Sequence, residues 1–318
     1  LNKLIIIEPN SAEKLNLKGV ILQFLNRSEE ARHNWMNASK INNEYFDPYF
    51  NLGNSYMDDK IYNLAEKNYE AALKCQPQNF KIYYQLGVLF MNQNKLFKSI
   101  DFFYKSKSIN NKFSYTFYNL GILLSKLSKK REAIDSFKEA IKLNPKYIEA
   151  YFSLGVTYRE IRDFNSSKKN FLKAMEINSS YPYLKGALRF VKNSLCDWDN
   201  YNNDLYDLEI DIKNNKKVLT PWQGLSLFKS PSLQIKNTSL FFEKKEKVTI
   251  PILLKKKKIT IGYFSADFCE HAVSNQISEI LKLHNKDNFE IFGFYLGVKS
   301  DFKLDEIKKN FNKFFDIS

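Results

Sequence analysis

The chain has 318 residues, 44% of them hydrophobic and 15% aromatic, and a formal net charge of +14. This is ample for packed cores in two domains, so the chain is expected to fold. Cys75, Cys196 and Cys269 stand far apart without a Cys-x-x-Cys pair, which indicates neither a metal site nor a disulfide framework and suits a cytoplasmic protein. No apolar run approaches the roughly 20 residues that span a bilayer, and no signal peptide is visible, so no membrane partner is expected. The positive charge raises nucleic-acid binding. Lysine is scattered among abundant Asn and Ile, however, and the dense run Lys255 to Lys258 directly precedes a predicted strand, where it reads as a solvated linker. The chain opens on Leu1 rather than Met and closes on Ser318 just after a candidate strand, so truncation at both ends is expected.

From the N-terminus the dominant signal is a repeat. Leu-Gly recurs at Leu52-Gly53, Leu86-Gly87, Leu120-Gly121 and Leu154-Gly155, with a 34-residue period. Four residues before each Gly stands an aromatic, Tyr49, Tyr83, Phe117 or Tyr151. Twelve after it comes a small residue, Ala65, Ser99, Ala133 or Ser167, and sixteen after it another aromatic, Tyr69, Phe103, Phe137 or Phe171. Gly19, Ala31, Trp35 and Ala38 hold the same phase one period earlier, as a degenerate first copy. Small residues let two antiparallel helices approach while aromatics fill the space between neighbours. Pro77 and Pro145 end the second helix of their units. The pattern resembles the tetratricopeptide repeat over four full copies, which predicts a solenoid over residues 1–181.

Such a solenoid has a concave groove. The residues two before each Gly, Asn51, Gln85, Asn119 and Ser153, face it if the helix phase is right, and side-chain amides there could hydrogen-bond an extended peptide with little selectivity. The plain alternative is an ordinary polar surface, which spacing alone favours.

After Pro182 the period breaks. Residues 182–258 read as a helical cap and connector: a capping helix over 183–195, a helix over 201–213, and two more starting at Thr220-Pro221 and Ser230-Pro231, each an N-cap before a Pro. Trp198 reads as a packing anchor between cap and following domain. With no Gly- or Ser-rich linker, a rigid joint is expected.

Residues 259–318 read as strand, loop, helix, strand, helix and the start of a third strand, a βαβ pattern with a parallel sheet. The first strand, Ile259 to Phe264, has the β-branched and aromatic character of a strand buried on both faces. The helix beginning at Ser300 places Leu304, Ile307, Phe311 and Phe314 on one face. The fold class is therefore mainly α, a repeat solenoid followed by a partial α/β, Rossmann-like domain. Ligands of such sheets gather at the carboxyl ends of the strands, where His271 lies. A histidine near a helix N-terminus is kept neutral by the positive dipole end and can accept a proton. The alternative is a ring that merely bonds a loop carbonyl, and spacing alone leaves the two even. Asp267 is a weaker candidate, since an Asp after a strand is more often a loop or cap residue. His284 reads as core and His33 as surface.

Leu195 to Trp198, Thr220 to Leu227, and above all Ile261 to His271 (IGYFSADFCEH) resemble the O-linked N-acetylglucosamine transferases of the SPINDLY branch, in the same order along the whole chain. The resemblance implies an inverting protein O-glycosyltransferase with no metal, whose first catalytic lobe begins near Ile259. His271 matches the family's active-site histidine, a base or a substrate-positioning group. The donor implied is UDP-N-acetylglucosamine, although fucose also occurs in the wider family. No Gly-rich loop is present to hold a diphosphate, and the resemblance places donor binding mainly in a second lobe beyond Ser318, so residues 1–318 alone are expected to be inactive. Ala272 stands where the family often has Pro, and Asn275 where some members carry a second His. The partner implied is a protein or peptide acceptor in the groove. The competing reading is a non-catalytic adaptor made of the same repeats, and a nucleic-acid-binding solenoid is a distant third.

Overall fold

The computed structural model describes residues 11–242, 258–298 and 300–317. The basic run before Ile259 lies outside them apart from Lys258, as does the joint expected to be rigid. The described residues fall into two compact units divided at Lys244 and Lys245.

The first unit is a succession of antiparallel helix pairs. These are α1 Ala12–Phe24 with α2 Ser28–Ile41, α3 Phe46–Asp58 with α4 Tyr62–Cys75, and α5 Phe80–Asn92 with α6 Leu96–Ile109. They continue with α7 Ser114–Lys126 and α8 Lys130–Leu143, then α9 Ile148–Glu160 and α10 Phe164–Ile177. The glycine and the aromatic sixteen residues later set the spacing inside each pair. A Cβ on Gly53, Gly87, Gly121 or Gly155 would sit 2.5–2.7 Å from the ring of Tyr69, Phe103, Phe137 or Phe171, and one on Gly19 would sit 2.4 Å from Trp35. Only a residue without Cβ leaves room for the ring. Those five rings are buried, each contributing roughly 2–3 kcal/mol of transfer free energy. Where the small residue of the second helix is serine, its hydroxyl donates to the carbonyl of that same glycine: Ser99 to Gly87 and Ser167 to Gly155, both at 2.7 Å.

The turn inside each pair is also periodic. Asn26, Lys60, Asn94, Ser128 and Arg162 all have φ between 57° and 63°. The next N–H reaches back across the turn in each case, as from Ile61 to Tyr56 at 2.8 Å and from Lys129 to Leu124 at 2.9 Å. This is the Schellman arrangement, which closes orphan carbonyls at a helix end. No glycine occupies the left-handed position.

Four helices follow: α11 Leu184–Ser194, α12 Tyr201–Lys213, α13 Pro221–Leu227 and α14 Pro231–Phe241. Leu184, Ala187, Leu188 and Val191 pack on Phe171 and Ala174 and cover the last repeat. Thr220 forms a reciprocal capping box with Gln223, and Ser230 caps Leu233. Arg189, almost wholly buried, is satisfied by Asp204 at 3.0 Å, Asn193 at 2.8 Å and the Asp197 carbonyl at 2.5 Å. Within the first unit Trp198 lies beside the capping helix, its ring 6.0 Å from the Arg189 guanidinium. It is 57% exposed and meets Tyr201 edge-on at 5.4 Å, because Leu208, Ile212, Val218, Leu219 and Phe228 already fill the interior of this segment.

The second unit is a three-stranded parallel sheet in the order β1 Ile259–Ser265, β2 Phe289–Tyr295, β3 Lys313–Asp316. Ile259 pairs with Phe289, and Phe292 with Lys313. Helices α15 Ala272–Leu283 and α16 Phe302–Lys308 connect the strands. Leu281, Leu304 and Ile307 from these helices pack with Ile261, Tyr263, Ile291 and Tyr295 on one sheet face. The alternate residues project from the other face, where Phe264, Phe294 and Phe315 stack at 4.3 and 5.1 Å and Phe264 is 65% exposed. The expectation that the first strand is buried on both faces is thereby corrected: both helices cover the same side of the described sheet. The helical face expected through Phe314 is also shorter. Helix α16 ends at Lys308, and Asn312 accepts the Ile291 N–H at 2.7 Å while its own N–H donates to the Ile291 carbonyl at 2.7 Å. That side-chain and main-chain clamp starts strand β3 and puts Phe314 on it.

Candidate functional site

The loop between β1 and α15 is shaped by its own alternation of apolar and polar residues. Phe268 and Cys269 turn inward, and the Phe268 ring lies 5.4 Å from Phe311 and 6.0 Å from Phe314. Their burial leaves Asp267 and His271 outside, with side chains 48% and 49% exposed. Ser274, fully buried, places its hydroxyl 2.6 Å from the carbonyls of both Asp267 and Cys269 and shares one proton between them. From the neighbouring connection, Asp301 caps α16 and accepts the Glu270 N–H at 2.8 Å. A Cβ on Gly297 would stand 2.2 Å from the Ala266 carbonyl, so the ends of β1 and β2 approach as closely as backbone allows.

His271 is the N-cap of α15, with Nδ1 accepting the Val273 N–H at 3.3 Å. An acceptor at Nδ1 puts the proton of the neutral ring on Nε2, so the free edge of the imidazole is a donor. Asp267 lies 3.9 Å from Nδ1, beyond hydrogen-bonding distance, and does not orient the ring. His284 sits half-buried at the far end of α15, its Nε2 2.6 Å from the Tyr263 hydroxyl. His33 is exposed on α2.

The four polar residues of the repeats occupy equivalent places on α3, α5, α7 and α9, helices that touch one another in succession. They are not free amides in a row. Asn51 donates to the Asn16 side chain at 3.0 Å, Asn119 is only 8% exposed and donates to the Tyr84 hydroxyl at 3.1 Å, and Ser153 bonds the Tyr118 hydroxyl. Gln85 is half-buried. Each bonded pair joins one repeat to the next, so these side chains hold successive first helices together. Sequence spacing did not reveal those partners, although Asn16, Tyr84 and Tyr118 share one position, three residues before the glycine.

Among the described residues no three His, Cys, Asp or Glu side chains gather as metal ligands, and no helix is long and apolar enough to cross a membrane.

The fold is a tetratricopeptide-repeat solenoid with a small parallel α/β unit in the same chain. Residues 46–79, 68–101, 114–147 and 136–169 match tetratricopeptide repeat families. Residues 228–318 match glycosyl transferase family 41, a match that opens at Phe228, well before the first strand. Segments similar to tetratricopeptide repeats are thus followed, in one chain, by a segment similar to glycosyl transferase family 41. Human "Tetratricopeptide repeat protein 6" is 33% identical over 69 residues, which is 22% of this chain and 13% of that protein. The Pseudomonas aeruginosa pilF structure superposes with a TM-score of 0.57 at 14% identity, covering 73% of this chain and 97% of its own. The Cut9–Hcn1 hetero-tetramer of the APC/C gives 0.55 at 15%, covering 75% and 44%. These likenesses are of fold.

Proposed function

We propose that the chain is part of a protein O-glycosyltransferase of the SPINDLY type, acting in the cytoplasm on Ser and Thr hydroxyls of other proteins. The observation that carries this reading is the family 41 match at 228–318 downstream of tetratricopeptide repeats in one chain. The position of the candidate loop supports it. The Gly-Tyr-Phe-Ser-Ala-Asp-Phe segment leads off the carboxyl end of the first strand of a parallel sheet, the edge where such sheets place ligands.

In this reading the repeats present the acceptor polypeptide, and His271 stands at the acceptor edge of the reaction centre. With Nδ1 held by the helix cap, the ring offers its Nε2–H, which suits it to position a substrate oxygen by donation. Acting as a base at Nε2 would require the other tautomer and loss of the cap. Asp267, 3.9 Å from Nδ1, makes no hydrogen bond to the ring. The donor proposed is UDP-N-acetylglucosamine, with a nucleotide-activated fucose as the alternative sugar. The main donor contacts would come from a second lobe.

The test is transfer by the full-length gene product from each nucleotide sugar to a Ser- and Thr-containing protein acceptor, read by intact-mass spectrometry. Acceptor mass increasing by one N-acetylhexosamine or one deoxyhexose supports the proposal and names the sugar. No transfer from either donor, with the protein folded and binding acceptor, would leave an adaptor function in its place.

A further inference from the structure

One joint between repeats lacks a ring that later joints possess. The residues three before the glycines, Phe50, Tyr84, Tyr118 and Phe152, pack on the ring of their own second helix at 6.0, 5.7, 5.9 and 5.6 Å. Three of them are met from the following repeat by a second ring: Tyr84 by Phe113 at 5.1 Å, Tyr118 by Tyr147 at 5.0 Å, and Phe152 by Tyr181 at 5.3 Å. These incoming rings all stand twenty-six residues after the glycine of the repeat they meet, a position occupied by Asn79 at the joint facing Phe50. The Asn79 side chain is turned to its own backbone, accepting the Lys81 N–H at 3.0 Å as helix cap and donating to Gln76 at 2.7 Å. Phe113 and Tyr147, at the same place, make no such cap bond. This repeat has exchanged an inter-repeat ring for a helix cap.

An open cleft of about 840 Å³ lies at that joint, lined by Phe46, Phe50, Asn79 and Phe80, with Asp47 and Lys81 also on its wall. Phe46 stacks on Phe50 at 5.2 Å. We propose that this cleft binds an aromatic side chain of an extended peptide, the ring entering the place that Phe113 and Tyr147 fill at later joints. The repeat itself shows what fits, since at three equivalent positions the solenoid seats a phenyl or phenol there with centroids 5.0–5.3 Å apart, a separation typical of favourable aromatic pairs. Asp47 and Lys81 on the wall offset one another in charge, and the backbone polar groups of a peptide can meet the amides of Gln76 and Asn51 on the same wall. The inference rests on the peptide-binding reading of the repeats and adds to it a side-chain preference.

Calorimetric titration of the full chain with acetyl-Gly-Ser-Gly-Ser-Phe-Ser-Gly-Ser-Gly-amide and its Phe→Ala counterpart tests it. The Phe peptide should bind at least tenfold more tightly. Asn79→Tyr, which supplies the missing ring from within, should bring that ratio to about one and raise the thermal midpoint. Phe50→Leu, which keeps apolar bulk but removes the ring beneath, should reduce the ratio several-fold and serves if Asn79→Tyr does not fold. Equal affinity for the two peptides, or a ratio unchanged in the folded variants, overturns the proposal. The double variant Asn51→Ala with Asn119→Ala reads the backbone contacts separately: if the amides bind the backbone, both peptides should weaken alike while the ratio between them is kept. A ratio that falls to one in this folded variant would assign the preference to the amides and overturn the cleft.

Discussion

The ring of Phe137 lies on Gly121 so closely that a methyl group on the glycine would come within 2.6 Å of Cε1, far inside contact distance. Gly121→Ala should therefore destabilise the solenoid by about 1–3 kcal/mol through overpacking. Phe137→Leu alone should also destabilise, by loss of buried ring. The double variant should lose less than the sum, because the smaller side chain admits the methyl. Urea unfolding of the four proteins measures this, and strict additivity would show that the pair does not set the helix spacing.

Lys60 holds φ at 60° in the turn between α3 and α4 and is exposed. A side chain with a Cβ pays roughly 1–2 kcal/mol there. Lys60→Gly should stabilise by about 0.5–1 kcal/mol once the greater freedom of glycine in the unfolded chain is subtracted. A lowered thermal midpoint would contradict this.

Burial pushes the phenol of Tyr181 up to about 12 and raises Tyr69 and Tyr147 as well, with nearby Tyr118 and Glu149 reinforcing burial at Tyr181. A pKa raised on folding means that the folded state resists losing the proton. Its stabilising contribution is complete below the unfolded value near 10 and disappears as pH rises through the folded value. The thermal midpoint should fall more steeply above about pH 10, and Tyr147→Phe should soften that fall. An identical alkaline slope in the variant would sink the assignment.

His271→Asn separates the two roles available to His271. Asn is a good N-cap and can accept the Val273 N–H that Nδ1 now accepts, so stability should change by less than about 0.5 kcal/mol. If the imidazole positions substrate, transfer by the full-length protein should drop by roughly 100-fold or more, as for loss of one hydrogen-bond donor to a reacting oxygen. His271→Ala should cost about 1 kcal/mol in addition, through the lost cap. Full activity in His271→Asn would reduce the histidine to a cap.

Much of the fold was legible because packing geometry constrains residue type. Gly with an aromatic sixteen residues on, a small residue at plus twelve, and Thr220-Pro221 and Ser230-Pro231 each leave room for few alternatives. The left-handed turns were not legible, since Asn, Lys, Ser and Arg share no side-chain chemistry and the tertiary closure imposes the conformation on whatever residue stands there. Strand β1 has the composition of a doubly covered strand, but covering depends on which side the crossover helices occupy, a property of connection handedness rather than of composition. Phe311 and Phe314 kept helical spacing past the helix end because the stop is set by Asn312 reaching Ile291, a contact distant in sequence. At the candidate loop, the motif located His271, whereas its tautomer followed only from the Val273 contact. The exchange at Asn79 was readable in principle by aligning Tyr45, Asn79, Phe113, Tyr147 and Tyr181, which stand twenty-six places after Gly19, Gly53, Gly87, Gly121 and Gly155.

That exchange also has a mechanical side. A stack of repeats behaves as a spring whose stiffness at each link depends on what is wedged between adjacent coils. Rings at Tyr84–Phe113, Tyr118–Tyr147 and Phe152–Tyr181 resist bending by being incompressible, whereas the link at Phe50 and Asn79 contains open space. Flexure should concentrate at that link, and a guest ring lodged there would stiffen the solenoid as it binds.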